Sequence, residues 1–180
     1  MNKPYRVEYV QLSGWEADEV GLWVAENQEW LLLRHVPADY VVDGYVLLRK
    51  AHIRGRRPGE HHAQVALVLQ LKGVEAKAPA GFEFLPGVEM LRWVEQHYGL
   101  VEVADEEESS FFGWLNEADP VHFWLDFLTP EAELDARAPD DEPFVMADVQ
   151  LIRFGTDYFN SLKLLWQHRQ RQQLLKPSDN

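Results

Sequence analysis

The chain contains no cysteine. Disulfides, thiolate metal sites and a cysteine nucleophile are therefore excluded. No apolar run is long enough to span a bilayer, and Met1-Asn-Lys-Pro-Tyr5 leads into no apolar signal region. The expectation is a cytoplasmic protein with no membrane partner. Cations are scarce as well: 17 Lys and Arg face 30 Asp and Glu, for a net charge of −13. Phosphate affinity rests largely on Lys and Arg, so this balance opposes nonspecific nucleic-acid binding. Gly-x-Ser-x-Gly, a phosphate loop and a strand-following Gly-x-Gly-x-x-Gly are all missing. Ser13 and Ser109-Ser110 have no His and Asp in a nucleophile context. The chain is expected to be no enzyme, with no catalytic residue, no cofactor and no metal.

What is present suits a packed β protein. Hydrophobic residues make up 46% of the 180 positions and aromatics 12%, which excludes a disordered chain. Seven Trp suit small barrels that must fill their interiors with few side chains, and Trp23, Trp30, Trp114 and Trp124 are expected there.

Part of the sequence occurs twice. Residues Gly21 to Val36 align without a gap on Gly113 to Leu128, and Tyr45 to Arg54 align on Phe144 to Arg153. Each copy reads as short strands separated by turns, the pattern of a small barrel rather than a βαβ unit. Trp30-Leu-Leu-Leu-Arg-His-Val36 is apolar enough to be buried on much of both faces. Val65 to Leu71 is too short an apolar run for periodicity to separate helix from strand.

Gly73 to Gly81, rich in Ala and Pro, is the best linker. It divides the chain into residues 1–72, a linker 73–85 and residues 86–180. Pro86 to Gly99 predicts a helix, with Val88, Leu91, Val94 and Tyr98 on one stripe and Gly99 as the stop. A second helix is predicted from Tyr158 to Leu175, capped by Thr156 or Asp157, with Phe159, Leu162, Leu165 and Trp166 on its apolar side. A frayed tail is expected at 177–180.

Two features carry candidate chemistry. His61-His62, with His52 and His35 upstream, is the one concentration of histidine, and it reads as an exposed loop pair rather than a ligand set. Arg49, Lys50, Arg54, Arg56 and Arg57 form one basic cluster, ending in a Gly/Pro-rich loop at 54–59. One reading makes this loop an anion or nucleic-acid contact with Tyr45 as a stacking partner. The other pairs it with acidic runs of the second copy, and the net field favours this. The runs Asp105-Glu-Glu-Glu108 and Asp140-Asp-Glu142 lack the spacing of a calcium loop and read as solvated turns.

Gly113, Phe123-Trp-Leu125, Phe144-Val-Met146 and Ile152-Arg-Phe-Gly155 in one copy match Gly21, Leu31-Leu-Leu33, Tyr45-Val-Leu-Leu48 and Ile53-Arg-Gly55 in the other. Together these resemble the Sm-like branch of SH3-type small β-barrels, over residues 15–57 and 86–156. The resemblance implies a mainly β fold with flanking helices: two tandem Sm-like barrels, a helix before the second and a C-terminal helix. RNA-binding relatives carry Asp-x-φ-x-Asn in the first signature. Here Glu26-Asn-Gln-Glu29 and Asp119-Pro-Val-His122 stand at that turn, and Arg153-Phe-Gly155 departs from an Arg-Gly pair. The expectation is a binding or adaptor protein with a protein or peptide partner, contacted through Tyr45, Arg49, Arg54, Arg56 and Arg57. The alternative is an RNA-associated protein using Arg54 to Arg57. Homo-oligomerisation is left open.

Overall fold

The computed structural model describes residues 5–57, 60–106, 109–135 and 143–175. The strands are β1 (Val7–Leu12), β2 (Glu19–Glu26), β3 (Trp30–His35), β4 (Tyr45–Arg49), β5 (Ile53–Arg57), β6 (Val101–Ala104), β7 (Ser110–Ala118), β8 (His122–Phe127), β9 (Phe144–Val145) and β10 (Leu151–Phe154). The helices are α1 (Glu60–Leu71), α2 (Val88–Tyr98) and α3 (Asp157–Leu175). Among the described residues, no helix is long and apolar enough to cross a membrane.

All ten strands form one antiparallel sheet in the order β5-β1-β2-β3-β4-β10-β6-β7-β8-β9. The order is the same five-strand arrangement written twice: fifth, first, second, third, fourth. The aligned residues occupy equivalent rungs. Gly21 pairs with His35 as Gly113 pairs with Phe127, and Trp23 pairs with Leu33 as Leu115 pairs with Leu125. A register shift follows in each copy, after which Glu26 meets Leu31 and Ala118 meets Phe123. The second sequence alignment slips, however. Trp30 pairs with Arg49 and His122 with Val145, so Arg49 corresponds to Val145 rather than Val145 to Val46. The two 3₁₀ turns that follow, Lys50–His52 and Met146–Asp148, have equal length and carry the corrected offset into β5 and β10.

The halves join where β4 pairs with β10, in the register Leu48↔Leu151, Leu47↔Ile152, Val46↔Arg153 and Tyr45↔Phe154. This seam explains why Trp30 to Leu33 and Val46 to Leu48 are buried without alternation. One face of these strands packs Trp30, Leu32 and Leu47 with Val101, Val103, Ile152 and Phe154 under α2. The other packs Leu31, Leu33, Val46 and Leu48 with Val10, Leu12 and Leu151. A strand covered on both faces can carry apolar side chains at every position.

The two expected helices follow their sequence signals with one difference, at Leu165. Gly99 ends α2 at φ 90°, donating its N–H to the Glu95 carbonyl at 2.7 Å. Thr156 caps α3, its Oγ1 accepting from the Phe159 N–H at 3.2 Å. Leu165 is 38% exposed and does not join the apolar side that Phe159 and Leu162 bury. Val65 to Leu71 lies in α1, where Val65 and Leu69 pack on Val7 and Leu22. Residues 73–85 contain no helix or strand but are tied to both halves. Tyr5 donates to the Val74 carbonyl at 2.8 Å, and Phe82 meets Trp93 edge-on.

Gly21 and Gly113 are the repeat's fixed points for a steric reason. A Cβ at Gly21 would lie 2.6 Å from the Leu33 Cβ, and one at Gly113 would fall on the Asp126 carbonyl oxygen. Backbone cannot yield as a flexible side chain can. Gly113→Ala should therefore cost about 1–3 kcal/mol in urea unfolding. Gly55→Ala, whose Cβ would meet only the Gln11 side chain at 3.9 Å, should stay within about 0.5 kcal/mol. Equal losses at the two positions would contradict this reading.

Candidate functional site

The structure does not gather the five residues singled out in sequence. Tyr45 lies on β4 at the seam, stacked on Phe154 with 5.6 Å between ring centroids, and donates its hydroxyl to the Lys77 carbonyl at 3.2 Å. The Arg34 guanidinium covers its ring at 5.4 Å. Arg49 is largely covered and lies over Trp30, 4.4 Å from the ring. It pairs with Glu29, donates Nε to the Val149 carbonyl at 2.9 Å and Nη2 to the Met146 carbonyl at 2.8 Å. Burial pulls its guanidinium below the ordinary arginine value, and Glu29 opposes that pull. Arg49 is thus a clamp from the first half onto the second.

Arg54, Arg56 and Arg57 are strand residues; for Arg56 and Arg57 this corrects the loop expected from Gly and Pro, whereas Arg54 also reads as the end of a short strand. Antiparallel pairing with β1 fixes them, Val10 opposite Arg56 and Tyr9 opposite Arg57. Alternation then places Arg56 where Glu8 and Glu26 can meet it. Its Nε lies 2.7 Å from Glu8 Oε2, and its Nη1 2.9 Å from Glu26 Oε2. These bonds from Glu8, and then Glu26, outweigh burial and raise the Arg56 guanidinium above its ordinary value. Burial alone would raise Glu26, but hydrogen bonds from Arg56 and Lys50 leave it lowered. Arg57 pairs with Asp18, and Arg54 donates to Ser13 Oγ at 2.9 Å. The carboxylates that hold this cluster belong to the first half, not to the acidic runs of the second. Of those runs, residues 107–108 and 140–142 lie outside the described residues.

The histidines are spread across the fold. His62 sits in α1 and stacks on Tyr9 at 3.7 Å, whereas His52 Nε2 lies 3.2 Å from the Ala147 carbonyl. Among the described residues, no group of three His, Cys, Asp or Glu could hold a metal ion. Of the tryptophans, Trp30 is fully buried, while Trp114 packs on Trp166 of α3 at 4.7 Å. Trp23 is covered by the Arg6 guanidinium at 5.3 Å.

Sequence reading missed the most enclosed ionic cluster. Arg153 on β10 donates Nη1 to Glu102 on β6 at 2.7 Å and Nη2 to Glu19 on β2 at 2.6 Å. All three side chains are largely buried. Burial lowers the Arg153 guanidinium, but the two carboxylates outweigh it and leave it raised. His35 on β3 lies 3.7 Å from Glu19. Its pKa is pushed down to about 4, first by burial and then by the Arg153 charge. A cavity of about 310 Å³ opens beside the cluster, lined by His35, Asp43, Ser110, Arg153, Thr156 and Tyr158. The guanidinium is already matched by two carboxylates, so the cluster fastens the halves together and offers no free cation.

The second cavity of interest, about 210 Å³, lies beside β9 and is lined by Val103, Phe111, Phe144, Val145 and Val149, with the carboxylates Asp105 and Asp148 also on its wall. At the matching end of β4, the first half is covered by residues 146–150 of the second. There the Arg49 N–H donates to the Gln150 carbonyl at 2.8 Å. No described strand covers β9 in that way. Compared with known proteins, the chain matches no family model, no curated protein and no solved structure.

Arg153→Met leaves Glu19 and Glu102 buried without their cation, and should cost about 3–5 kcal/mol in urea unfolding. The triple change Arg153→Met, Glu19→Leu, Glu102→Leu should recover most of that loss. A single change costing under about 1 kcal/mol would contradict the burial of the cluster.

The His35 site sets a pH dependence. Its folded value near 4 lies below the ordinary 6.5, so the unfolded chain gains a proton that the folded chain refuses. Stability is fully present above pH 6.5 and falls as pH drops towards 4, by about 3 kcal/mol in all from this residue. His35→Gln should flatten that part of the profile. An unchanged slope in the variant would sink the assignment.

Proposed function

We propose that the protein is a non-catalytic binding module built from two Sm-like units, which takes a strand of a protein or peptide partner on its β9 edge. The observation that carries this is the end of the sheet. Among the described residues β9 pairs on one side only, with β8, through His122↔Val145 and Phe123↔Phe144. An exposed strand edge offers backbone N–H and C=O groups to an added strand, and an adjacent, largely apolar pocket supplies side-chain selectivity. The cavity lined by Phe111, Phe144 and Val149 stands in that place. The matching strand orders and rungs of the two halves support the Sm-like reading of each unit.

The ion pairs weigh against the RNA alternative. Arg56 is held by two carboxylates and Arg57 by Asp18. Releasing them onto phosphate would strand those carboxylates, and the net charge of −13 repels a polyanion.

Co-purification from native lysate separates the readings. Partners should survive nuclease treatment and be lost from Val145→Pro, which removes the outward backbone donor of β9. Partners that vanish with nuclease and persist in the variant would overturn the proposal.

A further inference from the structure

The halves correspond rung by rung, yet one matched position carries different chemistry in each. Tyr9↔Arg57 matches Glu102↔Arg153, and the glycine rungs agree, Glu8↔Gly21 matching Val101↔Gly113. Glu102 therefore stands where the first half has Tyr9. The helices that follow, α1 from Glu60 and α3 from Asp157, put His62 and Phe159 at the same third position. The buried residues agree, Val65 of α1 falling on Leu162 of α3. In the first half the two rings fill the place, Tyr9 stacked on His62 at 3.7 Å. In the second half Phe159 keeps its ring, a carboxylate replaces the other ring, and the cavity of about 310 Å³ stands beside both. We infer that this cavity is a binding site for a primary alkylammonium group.

The walls divide by chemistry. Phe112, Tyr158 and Phe159 form an aromatic side, with ring centroids 6.0 Å, 5.8 Å and 5.6 Å apart. The other side carries Glu102 and Asp43, with the Ser110 hydroxyl between strand and solvent. The Glu102 side chain is only 8% exposed. Its Oε1 accepts from Arg153 Nη1 at 2.7 Å, and its Oε2 accepts no hydrogen bond from a described residue. Asp43 uses Oδ1 for the Asp157 N–H at 2.7 Å. An ammonium group in the cavity can donate to Glu102, Asp43 and Ser110, while its methylenes lie against the rings and its charge faces their π-surfaces.

The charges select a cation over an anion. Three carboxylates, Glu19, Glu102 and Asp43, face one guanidinium, and the depressed His35 is neutral at pH 7. Arg153 has nothing left for an anion: Nη1 is held by Glu102, Nη2 by Glu19, and Nε is buried. The first turn of α3 is occupied as well. Its Asp157 N–H bonds to Asp43, its Phe159 N–H to Thr156 Oγ1 and its Asn160 N–H to the Thr156 carbonyl. The net charge of −13 adds a field that gathers cations at the surface.

This site is separate from the β9 edge. Glu102 and Phe112 alternate with Val103 and Phe111 along β6 and β7, so the two cavities lie on opposite faces of the sheet. Strand pairing at β9 and ammonium binding here therefore stand or fall independently.

An NMR titration of the full, isotope-labelled chain with cadaverine reads the site through the amides of Asp43, Ser110 and Tyr158. The expected result is saturable shifts with a Kd below about 1 mM, weakening as salt rises. Glu102→Gln should weaken binding about tenfold or more. Two milder variants leave the Arg153 cluster whole. Asp43→Asn keeps the acceptor for the Asp157 N–H, and Tyr158→Ala changes a half-exposed ring; each should weaken binding about threefold to fivefold. Nα-acetyl-lysine N-methylamide, as a second probe, separates a free amine from the lysine side chain of a partner, the tighter binder naming the source. Pentanol giving the same saturable shifts would reduce the site to an apolar hollow, and inorganic phosphate shifting these amides or displacing cadaverine would mark an anion site. Either outcome overturns the inference. So would shifts that stay linear to about 20 mM cadaverine, or unchanged binding in both milder variants.

Discussion

The fold depends on one backbone pairing, the antiparallel run of β4 against β10. Without it, Val46 to Leu48 and Leu151 to Phe154 would each present an apolar edge to water. With it, both faces of the sheet's middle are covered. The buried run Trp30 to Leu33 can exist only because β4 and β10 extend the sheet beyond it. The ionic cluster depends on the same pairing: Arg153 comes from the second half and reaches Glu19 in the first. Arg49 makes the reciprocal reach, onto the carbonyls of Met146 and Val149. Two arginines, one from each side, thus lock a seam that hydrogen bonds and apolar packing form.

This arrangement also shapes what the surface can do. The most basic part of the sequence is neutralised locally by Glu8, Glu26 and Asp18, so its charge is spent on holding β5 to β1 and β2. What the proposed recognition draws on is geometric: strand edges that, among the described residues, pair on one side only at the two ends of the sheet, and a largely apolar hollow beside one of them. Under the proposed reading, a chain with a strong negative charge and a guarded basic edge recognises by selective backbone pairing rather than by capture of polyanions.

The repeat was legible in sequence because the close approach of the neighbouring strand at Gly21 and Gly113 admits no side chain, and because both copies need apolar residues at the same rungs. The stripe and glycine stop of α2 were legible for similarly local reasons. The seam was not, since pairing between residues about a hundred positions apart leaves no periodic trace. Nor was the offset between Arg49 and Val145, because two 3₁₀ turns interrupt the alternation on which an alignment relies. Arg54 to Arg57 looked like a loop because Gly and Pro follow, while cross-strand carboxylates make them a strand. Arg153 stood out only as a departure from a motif. Its function in the fold becomes visible once Glu19 and Glu102 are brought beside it.

The central claim is that the two halves are one cooperative sheet held at β4–β10. Native-state hydrogen exchange of the backbone amides along the seam, Leu47 and Ile152 above all, tests it most directly. If the seam is the common support, these amides exchange only through global unfolding, with the same opening free energy as Leu32 and Val103 in the two halves. Exchange of the seam amides through a lower-energy opening, while Leu32 and Val103 stay protected, would contradict the account.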